Sequence, residues 1–199
     1  MKKYLLLVLI SSAIIGCTKS DLKIVQDGVL PTHKTLTVGE AFSKWTICDT
    51  SQSKWSEFQS SNGVKVVEYT CVNKNTQQIR NHLENVISEV LGKDSETFSD
   101  AVKFDKIAYV FQWVVNKDNS FDIRSGSIEY YWGSKMYEVP FSSEDIDSSL
   151  LNNVYSDKDP LDEVIETIDE LAKIRSGQIV NLLNAYYKMY QNAKPVQSN

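Results

Sequence analysis

The chain has 199 residues, 42% of them hydrophobic and 11% aromatic, enough for one domain with a sizeable core. Its 26 acidic residues outnumber 21 basic ones, for a formal net charge of −5. That balance argues against nucleic acid, or anionic head groups held by charge alone, as partners.

The first elements in chain order are not part of a fold. Met1-Lys2-Lys3-Tyr4 is a short basic start, and Leu5 to Ile15 is an apolar run interrupted only by Ser11 and Ser12. The run is too short for a transmembrane helix, which needs about 20 apolar residues, and it has the layout of a secretory signal. Ile14-Ile15-Gly16-Cys17 closes it, followed at once by polar Thr18-Lys19-Ser20-Asp21. This tetrad resembles the lipobox of bacterial lipoproteins, with Ile14 in place of the usual Leu. The resemblance covers the leader alone. It implies cleavage before Cys17, a thioether lipid on Cys17 and acylation of the new amino end. It also implies a protein held to the envelope membrane through that lipid. One acyl chain binds a bilayer marginally, whereas two or more anchor stably. In enterobacterial lipoproteins an Asp after the cysteine resembles an inner-membrane retention signal. Thr18 stands there instead, which points to the outer membrane, facing the periplasm, if the source is Gram-negative. Loss of the first 16 residues leaves 183, and loss of Lys2 and Lys3 takes the net charge from −5 to −7.

Export also bears on the other two cysteines. In an oxidising compartment a disulfide is the default for the pair Cys48 and Cys71. It would close a loop of about 23 residues, worth roughly 3 kcal/mol by chain entropy. Two free thiols, or half of a metal site, are the rival readings.

Residues 17–36 read as a lipidated tether: polar, with Gly28 and Pro31, and without a clean period. Leu22-Ile24-Val25 and Val29-Leu30 are short apolar pieces able to dock on the domain. The globular domain is expected over 37–192. Thr37-Val38-Gly39-Glu40 is a capping box opening a short helix that ends near Ile47. Residues 54–59 and 64–72 read as strands joined at Ser61-Asn62-Gly63, where Asn-Gly suits a type I′ turn. Val67, Tyr69 and Cys71 share one face of the second strand. Ile79, Leu83, Val86, Ile87 and Val90 mark an amphipathic helix over 76–91, stopped by Gly92. Residues 93–100 form a polar link with room for one helical turn.

Residues 104–115 form an inner strand, apolar on nearly both faces. Residues 120–124, 127–132 and 135–139 continue a meander, with turns at Asn116–Asn119 and Gly133-Ser134 and Pro140 as its end. A weak helix over 144–155 precedes a strong one opened by Asp159 as cap and Pro160 at its first position. Its stripe of Leu161, Val164, Ile165, Ile168, Leu171 and Ala172 is kinked or broken at Ser176-Gly177. The stripe then resumes through Ile179, Leu182, Leu183, Tyr186 and Tyr190. Residues 193–199 read as a frayed tail. The sum is an α+β fold of one domain: an antiparallel sheet of about five or six strands in hairpins, packed with helices, ending in a long C-terminal amphipathic helix.

The chemistry-bearing residues form no catalytic motif. The two histidines, His33 and His82, stand in no Ser-His-Asp order or HExxH pattern, and no phosphate-binding glycine loop is present. No set of N and S ligands suggests a metal or other cofactor. Asp157, Asp159, Asp162 and Glu163 offer oxygen ligands for calcium, or simply favour a helix start. The aromatic meander reads first as core packing of sheet against helix, with Trp113 in the core; the competing reading is a binding surface through Tyr130, Tyr131, Trp132 and Tyr137, since aromatic residues with polar tips are common in recognition. Adjacent Tyr130 and Tyr131 must face opposite ways. Function is thus expected to be non-enzymatic: an envelope lipoprotein binding another envelope protein or a cell-wall component. The alternatives are an inhibitor or immunity-type lipoprotein acting on an exported enzyme, and a histidine-free hydrolase with paired carboxylates.

Overall fold

The computed structural model describes residues 19–174 and 177–196. The leader and Cys17 lie outside them. Among the described residues no helix is long and apolar enough to cross a membrane.

The fold is α+β. A curled antiparallel sheet of six strands follows chain order, β1 Lys54–Gln59, β2 Lys65–Val72, β3 Lys106–Val115, β4 Phe121–Trp132, β5 Lys135–Pro140 and β6 Lys194–Pro195. β1–β2, β3–β4 and β4–β5 pair as hairpins whose register is set by short turns, whereas β2 and β3 pair across a long helical connection. The β1–β2 turn departs from type I′. Only Gly63 has positive φ, at 83°, and its N–H returns to the Ser60 carbonyl at 2.8 Å. The Ser60 N–H then reaches the Val64 carbonyl at 2.8 Å. This is a type I turn followed by a left-handed glycine, the three-residue hairpin loop.

The helices pack on one face of the sheet. Helix α2 (Val38–Lys44) begins with the capping box: Thr37 accepts from the Glu40 N–H and the Glu40 carboxylate from the Thr37 N–H. Its Phe42 sits edge-on to Tyr69, Phe111 and Trp113, with centroids 4.8–5.4 Å away, a favourable aromatic geometry. Helix α3 (Thr76–Leu91) buries Ile79, Leu83, Val86 and Ile87 and stops at Gly92, where φ is 55°. The expected polar link holds a further helix, α4 (Glu96–Val102), whose Ala101 and Val102 are buried.

The strand expected to break near Ser125-Gly126 runs unbroken as β4, with one irregularity opposite Gln112 and Trp113. Gly126 is needed there for space. A Cβ would meet Leu150 Cδ2 at 3.0 Å and Ile146 Cγ1 at 3.1 Å. Those two residues belong to a π-helical turn, Ile146–Leu150, between α5 (Ser143–Asp145) and α6 (Leu151–Tyr155).

Three expected boundaries move. The tether is shorter than 17–36, because Ser20 caps a helix, α1 (Asp21–Asp27), whose Val25 is wholly buried. Leu30 is buried too. The apolar pieces outweigh the polar composition of that segment. The expected frayed tail supplies β6, whose Lys194 and Pro195 pair with Met136 and Lys135. Asp159 and Pro160 stay outside the helix they were expected to open: α7 runs over Asp162–Lys173, because Asp159 is drawn into the core by side-chain bonds. Helix α8 (Gly177–Asn192) follows as a separate element. It docks on the sheet through Tyr186, which packs with Phe104 and Tyr130.

The Cys48–Cys71 disulfide is present, across a sequence separation of 23. It ties the segment after α2 to the end of β2. Beside it an isolated bridge pairs Cys48 with Asn73.

Candidate functional site

Alternation and register divide the sheet into two unlike faces. Toward the helices point Val67, Tyr69 and Cys71 of β2, Ile107, Tyr109, Phe111 and Trp113 of β3, and Ile128 and Tyr130 of β4. All are buried in one core. The other face is built in rows across the strands. Ser56, Glu68, Gln112 and Ser125 form one row, and Lys54, Thr70, Val110, Ser127 and Pro140 the next. Then come Val72, Ala108, Glu129 and Glu138, and finally Lys106, Tyr131, Met136 and Lys194.

Val72, Ala108 and Val110 are buried yet stand outside the contiguous core. They and Ser127 are short side chains largely covered by longer neighbours, and we term this low middle of the face the trough. One bank is a polar ladder: Gln112 donates Nε2–H to Glu68 at 2.8 Å, and Ser125 donates to Gln112 Oε1 at 3.0 Å. On the other bank the Lys106 ammonium lies 3.4 Å from the centre of the Tyr131 ring, a cation–π contact. The Tyr131 hydroxyl donates to Glu129.

Charges on this bank are perturbed. Burial raises the Glu129 carboxyl; the Tyr131 hydrogen bond and Lys106 oppose that, while Glu138 and Glu68 add to it. Burial lowers the Lys106 ammonium against the pull of Glu129 and Asp105. Burial first, and then Glu129, raise the Tyr131 hydroxyl. Half-buried charges of this kind cluster at functional surfaces.

The four aromatic residues singled out in the sequence do not share a surface. Tyr130 is 5% exposed and belongs to the core, packed on Phe104 and Tyr186. Trp132 stacks beside it, donates its indole N–H to the Ala101 carbonyl at 3.2 Å and meets Tyr190. Tyr137, opposite Tyr130 in the β4–β5 register, is half-buried on that same face. Only Tyr131 looks onto the trough. Glu68, Lys106, Gln112 and Glu129 complete the site and were passed over in sequence. Their signal was polar residues at every second position of β4, Ser125, Ser127 and Glu129, broken in β2 by Val66 and Val72 and in β3 by Ala108 and Val110.

Two of the acidic residues of 157–163, Asp157 and Asp159, hold neighbouring segments together, while Asp162 and Glu163 are exposed in the first turn of α7. Asp159 is buried and accepts from the Tyr109 hydroxyl at 2.5 Å, the Asn73 amide at 2.7 Å and the Leu161 N–H at 3.0 Å. Burial, with Asp159 beside it, pushes the Tyr109 hydroxyl well above its usual range. Asp157, at φ 54°, accepts from the Thr46 N–H at 2.6 Å and from the Thr46 hydroxyl at 3.1 Å. Among the described residues no three His, Cys, Asp or Glu side chains converge as metal ligands. His33 packs at a tilt of 33° against Tyr155, with centroids 4.2 Å apart. His82 bonds Asp169 at 2.7 Å and lines a cleft with Asn75, Gln78, Ile79, Asp159 and Asp162. Three donors hold the Asp159 carboxylate beside that cleft.

Comparison with family models, curated proteins and solved structures gave no match.

Proposed function

We propose that this chain is an envelope lipoprotein, anchored through lipid on Cys17, whose domain is a non-enzymatic binding module. Its binding surface is the trough on the open face of the sheet, and its partner is another envelope protein or a cell-wall component. The observation that carries this reading is the trough itself. Short buried side chains lie between two banks of bonded, half-buried polar groups, an arrangement suited to receiving a partner's side chains over an apolar floor. Glu68, Glu129 and Glu138 share that face with Lys54, Lys106 and Lys194, which suits a partner presenting polar groups of both signs.

The test is affinity purification of the full chain from solubilised envelope beside a Glu68→Lys/Glu138→Lys variant. A partner retained by the parent and lost by an equally stable variant supports the reading. Equal recovery from both, or nothing above background from either, counts against it.

The acidic balance of the whole chain, 26 Asp and Glu against 21 Lys and Arg, favours a second reading, in which the partner is a basic exported enzyme and the chain its inhibitor. Deletion of the gene would then raise sensitivity to wall-degrading enzymes, and unchanged sensitivity would sink it. The hydrolase reading is weaker. Glu129 is a raised carboxylate with acidic neighbours, but the Tyr131 hydroxyl already holds it, and it stands on a sheet face rather than in a cleft.

A further inference from the structure

Lipid on Cys17 would place one end of this domain against the bilayer, and the structure identifies which end. Helix α1 starts almost immediately after that cysteine: Ser20 is its cap, accepting from the Lys23 N–H. Four residue steps separate Cys17 from Asp21, a reach of at most about 14 Å. A free spacer over the whole of 17–36 would instead have a root-mean-square reach of about 25 Å. The first turn of α1 is also pinned in place. Asp21 pairs with Lys65 at 3.1 Å, and the Leu22 N–H donates to Glu57 at 3.1 Å. Both partners belong to the β1–β2 hairpin, close to its turn.

Two large apolar side chains stand exposed at that turn, Phe58 at 43% and Val64 at 39%. Alternation puts them on the same side of the hairpin. The neighbouring charges are matched rather than uniformly acidic, since Lys65 meets Asp21 while Lys19 and Lys23 both meet Asp27. The acidic character of the whole chain is therefore muted where α1 begins, which removes an obstacle to contact with head groups. The head-group layer is itself only about 5–7 Å deep on each side, comparable with the height of a hairpin tip.

We propose that the tip of the β1–β2 hairpin, through Phe58 and Val64, is a membrane-contact surface, pressed into the head-group region of the bilayer that holds Cys17. This inference rests on the lipid-anchor reading. It adds an orientation: the β1–β2 turn faces the lipid, and the end of the sheet bearing the Cys48–Cys71 disulfide points away.

The full chain, expressed with its leader and purified from membranes, would be reconstituted in phosphatidylcholine vesicles with plain or brominated acyl chains. Two variants, F58W and I174W, each add one tryptophan at an exposed site. Bromine quenching of the added emission, after subtraction of the parent signal, is expected to be at least twofold greater for F58W. A spacer of twenty Gly and Ser residues after Thr18 is expected to bring F58W down to the level of I174W. Intact mass of the same preparations reports the lipid. Lipid present with equal quenching of the two variants overturns this inference and leaves the anchor standing. Quenching of F58W that survives the spacer overturns the role given to the short link. A Cys17 without lipid overturns both readings.

Discussion

Two carboxylates illustrate how differently one residue type is used in this domain. Asp159 is buried and fully engaged, so its removal leaves the Tyr109 hydroxyl and the Asn73 amide without a partner in the core. Each unpaired buried group costs about 1–3 kcal/mol. Asp159→Ala is expected to cost about 3 kcal/mol or more in denaturant unfolding. Tyr109→Phe, which leaves Asp159 its other two donors, is expected to cost about half of that. Equal losses would contradict the assignment.

Glu129 behaves in the opposite sense. Its carboxyl is raised in the fold, chiefly by burial, so ionising it is harder there than in the unfolded chain. It therefore weakens the fold at pH above its raised value. The penalty fades as pH falls through that value and is absent below the ordinary glutamate range. Glu129→Gln keeps an oxygen for the Tyr131 hydroxyl and removes the charge. The variant is expected to melt above the parent at about pH 8, with the gap closing by about pH 4. A gap independent of pH would contradict the role given to burial.

At the scale of elements, two local fits carry the architecture. The π-helical turn rests directly on Gly126, and backbone conformation is not the reason for the glycine there; space is. Gly126→Val is expected to destabilise by about 1–3 kcal/mol through overpacking, read as a shift in the urea midpoint. The disulfide closes a loop of 23 residues. Cys48→Ser with Cys71→Ser is expected to cost about 2–5 kcal/mol, read the same way.

Elements of this kind were unevenly legible in the sequence. Helix α3 and the capping box of α2 were readable because periodicity and capping are local. The Cys48–Cys71 link was readable as an even pair of cysteines once export was expected. Helix α1 and strand β6 were not, because their short apolar pieces gain order only by docking on distant surfaces. Helix α4 was hidden by polar residues around Ala101 and Val102. Gly126 read as a break, because the π-helical turn that needs the space lies twenty and more residues downstream.

For the whole molecule, the division of the sheet is the central feature. One face carries the aromatic core under the helices, and the other carries a trough of short side chains between polar banks. Composition announced the aromatic residues but not their faces, so the sequence favoured core packing for the meander without saying which rings it covers; most of them are core. The trough became visible only once register aligned Glu68 with Gln112 and Ser125, and Ala108 with Glu129 and Glu138.

The claim that this face receives the partner is tested most directly by photo-cross-linking in cells, with the reactive residue placed once at Thr70 on the trough and once at Glu166 on exposed α7. The account predicts a discrete adduct from Thr70 and none from Glu166. An adduct from Glu166 alone, or the same adduct from both positions, would contradict it.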